Sequence, residues 1–181
     1  MFGIRKIGQI RQYLTQESTA KLVHAFVTSR LDSCNSLLFG LPDRELMKIQ
    51  RVQNTAARLV LRMSRREHIT PALESLHWLP VQQRAVYKIL LITFKALQGM
   101  APAYISDLLV LYEPKRVLRS SSKFQLRVVK SSTKFYGDRS YSYAAANLWN
   151  KLPPHIRDSP SVGIFKSKLK THLFKAHFYD R

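Results

Sequence analysis

The sequence predicts a mainly α protein: a multi-helix, bundle-like core around one central buried helix, with a short extended or β segment near 123–136. Three observations carry this expectation. Residues 80–98 are apolar around most of a helical circumference. Apolar side chains recur near a 3.6-residue period in several other stretches, and proline and glycine stand at the ends of many of them.

The central stretch comes first. At about 100° per residue, Val81, Ala85, Ile89, Ile92 and Ala96 line one side, while Val86, Leu90 and Leu97 face the other. Tyr87, Leu91 and Phe94 fall between them, and the remaining wedge is basic, with Arg84, Lys88 and Lys95. A surface helix has one apolar stripe, so a helix this apolar needs neighbours on several sides. Pro80 suits its first turn and Gly99 its stop. The stretch is too short and too charged to cross a bilayer.

The other elements follow in order. Ile4, Ile7, Ile10 and Leu14 predict an opening helix. Leu22, Val23, Phe26, Val27, Leu31 and Cys34 predict a second over about 18–38, ended by Phe39-Gly-Leu-Pro42, with Cys34 as a small buried residue. Asp43 is the expected N-cap of a third, whose apolar face is Leu46, Ile49, Val52, Ala56, Val60 and Met63. Thr70-Pro71, a cap followed by proline at the first helical position, starts a short helix, and Trp78 fills the corner before Pro80. A brief helical piece begins near Pro102. Phe124, Leu126 and Val128 alternate with Gln125 and Arg127, the period-two signal behind the extended segment. Tyr143, Ala144, Leu148, Trp149 and Leu152 predict a helix stopped by Pro153-Pro154. The last helix carries Val162, Phe165, Leu169, His172 and either Leu173 or Phe174 on one side and Lys166, Lys168, Lys170 and Lys175 around much of the remainder.

The chain has 181 residues, 45% of them hydrophobic, which suffices for a core. Its 30 basic residues against 11 acidic give a formal charge of +19. Self-repulsion of that size costs compactness, and a polyanionic partner accounts for it: nucleic acid first, an anionic membrane surface second. Composition changes near residue 113, dividing the chain into a helical region, 1–112, and a basic region with an extended segment and two helices, 113–181. The single cysteine excludes an internal disulfide, and no secretion signal is legible, so the nucleus or cytoplasm is the expected location.

Catalytic groupings are not legible. Two-metal chemistry needs clustered carboxylates, and the sequence has neither Asp-Asp nor Asp-x-Asp. Its six histidines lack ligand spacing, so no metal or cofactor is expected, and no glycine-rich phosphate loop or nucleophile elbow occurs. Glu67-His68 and the His172/His177 pair are read as surface. What remains is electrostatic. Arg51, Arg58, Arg62 and Arg65 are candidates for tracking a phosphate backbone from one helix. Lys115, Arg116, Arg119, Lys123, Arg127 and Lys130 form a second candidate cluster within sixteen residues. Among the nearby aromatics Phe124, Phe135, Tyr136, Tyr141 and Tyr143, base stacking by one is the functional alternative to core packing.

Seven motifs stand in an order that carries a family resemblance. They are Leu31-Asp-Ser-Cys-Asn-Ser-Leu-Leu-Phe-Gly-Leu-Pro42, Arg51-Val-Gln-Asn-Thr-Ala-Ala-Arg-Leu-Val60, His68-Ile-Thr-Pro-Ala-Leu-Glu-Ser-Leu-His-Trp-Leu-Pro-Val81 and Phe94-Lys-Ala-Leu-Gln-Gly-Met-Ala-Pro-Ala-Tyr104. Tyr136-Gly-Asp-Arg139, Ala144-Ala-Ala-Asn-Leu-Trp-Asn-Lys-Leu-Pro153 and Phe165-Lys-Ser-Lys-Leu-Lys-Thr-His-Leu-Phe174 complete the set. The chain resembles the carboxy-terminal portion, after the palm, of the reverse transcriptase polyprotein of LINE-type non-LTR retrotransposons. Ser33 departs from the aromatic residue commoner at its place.

The resemblance implies a thumb and following helical region that hold template RNA and nascent DNA. The palm's Tyr/Phe-Ala-Asp-Asp motif has no counterpart here, nor do the endonuclease and the cysteine–histidine knuckle of some relatives. The expectation is therefore a non-catalytic fragment of an RNA-directed DNA polymerase. It would bind RNA and/or DNA mainly through the backbone, with the missing palm as a further partner and no membrane span. The alternative is a non-enzymatic helical protein-interaction module.

Overall fold

The computed structural model describes residues 2–112, 125–129, 133 and 136–180. Helices dominate: α1 (Phe2–Ile10), α2 (Gln16–Val23), α3 (Ser29–Asp32), α4 (Asp43–Leu61), α5 (Thr70–Ser75), α6 (Val81–Leu97), α7 (Ala103–Ser106), α8 (Tyr141–Lys151), α9 (Pro154–Arg157) and α10 (Val162–Phe178). The chain divides into two compact units, Met1–Ala85 with His177–Arg181 and Val86–Ala176. The division falls inside α6, not at the change of composition near residue 113.

In the first unit, Ile4, Ile7, Val23, Val27, Ala56 and Val60 form the core. The small Ala56 and Ala57 let neighbouring helices close on α4, and half-buried Trp78 packs against the same cluster. Thr15 caps α2, its hydroxyl accepting from the Ser18 N–H at 3.1 Å. The predicted second helix is not continuous. After α2 comes a π turn, His24–Thr28, then the short α3 and a 3-10 turn, Asn35–Leu38. Cys34, expected to be buried, is exposed and holds φ +52° at that break. Asp43 and Thr70 are the first residues of α4 and α5 rather than their caps, and neither helix has a side-chain cap bond.

One polar chain joins α4 to the start of α6. The fully buried Gln53 donates to the Leu79 carbonyl at 2.8 Å and accepts from Gln50 at 3.0 Å. Gln50 in turn accepts from the Val81 N–H at 2.9 Å, satisfying an amide that the first turn of α6 leaves open. Arg84 Nη1 donates to both carboxylate oxygens of Asp32 at 2.9 Å, and its Nε donates to the Leu79 carbonyl at 2.8 Å.

In the second unit, Phe94 stacks on Phe165 with ring centroids 4.2 Å apart, and Trp149 lies tilted against both at 6.5 and 6.0 Å. Ala144, Ala145 and Ala146 are buried around more than half the circumference of α8, and Leu169 and Leu173 are buried one and two turns after Phe165 on α10. Gly99 ends α6 at φ +68°, a left-handed position that glycine adopts without a Cβ clash.

The expected extended or β segment near 123–136 is corrected. Among the described residues no strand forms, only an isolated antiparallel bridge between Leu111 and Leu126. The Tyr112 N–H donates to the Gln125 carbonyl at 2.9 Å and the Arg127 N–H to the Val110 carbonyl at 2.8 Å. The other edge of Leu126 is taken by a side chain: its N–H donates to Asn150 Oδ1 at 2.9 Å, and Asn150 Nδ2 donates to its carbonyl at 2.7 Å. An amide on α8 thus replaces the peptide of a further strand. Leu126 is buried, yet Val128 and Val129 are both exposed, so the period-two signal does not sort an inner from an outer face.

Candidate functional site

Helix α4 is nineteen residues long, about 28 Å at 1.5 Å per residue. Its core side is fixed by Leu46, Gln53, Ala56, Ala57 and Val60. The helical period then places Arg44, Lys48, Arg51, Arg58 and Arg62 along the opposite side. The side chains of Arg44 and Arg51 are exposed and join no other described residue by a hydrogen bond or ion pair. Lys48 is exposed but held by Glu45, with both carboxylate oxygens within 2.9 Å.

At the carboxyl end of the helix the arginines have other work. A helix leaves its last carbonyls without intrahelical donors. Here the buried Arg11 supplies them from outside: Nε donates to the Leu59 carbonyl at 2.8 Å, Nη2 to Val60 at 2.9 Å, and Nη1 to Leu14 at 2.8 Å. Burial lowers the pKa of Arg11, and the positive charge of Arg62 lowers it further. Arg62 closes α4 in a left-handed conformation, φ +56°, with its guanidinium 3.5 Å from the Arg11 and Leu14 carbonyls. Arg58 donates to the Glu67 carbonyl at 3.1 Å, its Nε buried without a hydrogen-bond partner. Arg65 lies exposed in the turn that follows.

Of the predicted candidates, then, Arg51, Arg58 and Arg62 share α4 and Arg65 comes just after it. Arg51 is the least engaged, while Arg58 and Arg62 are tied into the end of the helix. Arg127 is exposed beside the Leu111–Leu126 bridge in the second unit. Lys115, Arg116, Arg119, Lys123 and Lys130 lie outside the described residues, as do Phe124 and Phe135. Tyr141 and Tyr143 are half-buried, Tyr141 lying 3.3 Å from the Thr93 hydroxyl, and Tyr136 is exposed. On α10, Lys166, Lys168, Lys170 and Lys175 are exposed, Lys168 reaching the His155 carbonyl at 2.9 Å.

The sequence places Arg44 at the start of the basic face of this helix, but it is not among the candidates; it extends the α4 face by two turns. Sequence reading gave Arg11 no role, since nothing local marks an arginine destined to cap a remote helix. Among the described residues no three His, Cys, Asp or Glu side chains are placed to hold a metal ion, and no helix is long and apolar enough to cross a membrane. Comparison with protein-family models, curated protein sequences and solved structures finds no match to this chain.

Proposed function

We propose that this chain is a non-catalytic nucleic-acid-binding segment, holding RNA or DNA by its phosphates, as the resemblance to the post-palm part of LINE-type reverse transcriptases implies. The observation that carries the reading is the α4 face, where Arg44 and Arg51 stand exposed and unengaged among described residues in a chain of net charge +19. Seven helical residues separate them by about 10 Å along the axis, roughly three phosphate steps of one strand. Guanidinium groups suit this contact because their planar fork meets phosphate oxygens bidentately. Such contacts give affinity and position rather than sequence choice.

The test is a salt titration of binding to duplex and single-stranded oligonucleotides by the full chain and by an Arg44→Gln/Arg51→Gln variant. Both side chains are exposed, so the variant is expected to unfold at the wild-type denaturant midpoint. On duplex, the slope of log affinity against log salt becomes shallower by roughly 0.9 for each arginine that neutralises a phosphate. Absence of wild-type binding at low salt, or a slope indifferent to both substitutions, would sink the assignment to this face.

A second reading, a protein-interaction module, draws on one feature. Met100, Tyr104, Leu108, Val110, Leu111 and Tyr112 are all exposed within thirteen residues of the second unit. Apolar residues this dense on a surface suit a protein partner. Oligonucleotide binding that is weak and insensitive to salt would favour it.

A further inference from the structure

Phe26 belongs to the predicted apolar face of the second helix, yet it is 54% exposed while Val23 and Val27 beside it are buried. The cause is the π turn at His24–Thr28, which widens the helix by a residue and breaks the 3.6 register that would turn successive apolar side chains inward. Phe26 forms one wall of a pocket of about 120 Å³ that is open to solvent. Gly3, Ile4, Val27, Leu31 and Val52 line the rest, and Arg30 is the single charged residue in the lining. Arg30 is exposed and makes no hydrogen bond or ion pair with another described residue. Cations also flank the lining in sequence: Arg5 and Lys6 follow Ile4 on α1, and Lys48 and Arg51 lie within a turn of Val52 on α4. Of the acids near these elements, Asp32 is held by Arg84 and Glu45 by Lys48, while Asp43 lies exposed at the start of α4.

We infer that this pocket takes one unpaired base of a single-stranded nucleic acid, stacked on Phe26, with Arg30 on the adjoining phosphate. The inference rests on the nucleic-acid reading above and gives it a preference for unpaired strands. An apolar recess beside a lone cation matches a nucleotide, which offers a flat apolar face and an anion side by side. The recess is open to solvent, so a base can lie on Phe26 with part of its ring outside it. Gly3 belongs to the recess, because a Cβ there would lie 3.6 Å from Phe26 Cβ, and a longer side chain would fill the space.

The experiment measures affinities of the full chain for oligothymidylate, for oligoadenylate of equal length and for a duplex. Wild type is compared with Phe26→Ala, Phe26→Tyr and Gly3→Leu, with unfolding midpoints as a control. Wild type is expected to bind both single strands in preference to the duplex. Phe26→Ala and Gly3→Leu should each weaken oligothymidylate binding roughly tenfold and leave duplex binding unchanged, while Phe26→Tyr retains it. If Gly3→Leu does not fold, Phe26→Ala decides alone, since a side chain more than half exposed is dispensable to the core. The inference is overturned if Phe26→Ala binds oligothymidylate as wild type does, or loses strand and duplex binding equally. Salt-steep wild-type binding in those cases leaves the phosphate-contact reading standing. Wild type binding neither strand nor duplex at low salt would remove both.

Discussion

Arg11 places three guanidinium nitrogens on the carbonyls of Leu14, Leu59 and Val60, so the end of α4 is capped by a residue forty-eight positions before it. A positive group at a helix carboxyl end is favourable, and here it also satisfies acceptors that are partly or, at Val60, fully buried. Arg11→Met keeps the apolar stem and removes all three bonds. It is expected to cost about 1–3 kcal/mol, read as a lower urea midpoint at unchanged slope. Tyr141 gives a residue-scale pH signature. Burial raises its pKa above the ordinary 10.0, against a smaller opposing effect of its hydrogen bond with Thr93. Below pH 10 folded and unfolded chains both keep the proton, so this contribution is intact. As pH rises further the unfolded chain ionises first, and stability falls until the folded hydroxyl has titrated too. Tyr141→Phe should therefore lose less stability than wild type above pH 10 and match its pH dependence below. Lysines titrate nearby in both proteins, so the difference between the two curves is the measurement.

At the scale of elements, the Leu111–Leu126 bridge depends on a helix. Two peptide hydrogen bonds hold one edge of residues 125–127, and the Asn150 amide holds the other. Asn150→Ala is expected to release the Leu126 amide and, with it, those of Tyr112 and Arg127. Hydrogen exchange at these positions should quicken while the core of α8 keeps its protection. Unchanged exchange at Leu126 would show that Asn150 is incidental. The same bonds explain why periodicity misled at this segment. Alternation of Phe124, Leu126 and Val128 is a statement about a strand with neighbours, and here the neighbour is a side-chain amide. The π turn is a parallel case: an inserted residue left Phe26 outside, although its spacing from Val23 and Val27 reads as helical. Helix capping was legible only to within a residue at Asp43 and Thr70, because a side chain's capping bond depends on local dihedrals that composition does not specify.

Across the whole molecule, +19 charges oppose compaction. Screening shortens their reach from about 30 Å at 0.01 M salt to about 10 Å at 0.1 M. Salt is therefore expected to raise the thermal midpoint by a few degrees over that range while weakening oligonucleotide binding. Fold stability and ligand affinity should move in opposite directions in the same titration, measured by calorimetry and by anisotropy. A midpoint that falls with added salt would mean the charges are already paired in the fold. The sequence by itself determined that the chain is mainly helical, which segments bury apolar faces and how much positive charge must be accommodated, because periodicity and composition are local or additive properties. Only the tertiary structure decided which cations are available to a ligand. Arg11 spends its hydrogen bonds on the carbonyl of Leu14 and on those at the end of α4, Arg58 on the Glu67 carbonyl and Arg62 on those of Arg11 and Leu14, while Arg30, Arg44 and Arg51 remain at the surface. That division depends on which backbone carbonyls the fold brings beside each guanidinium, and no spacing along the chain encodes it.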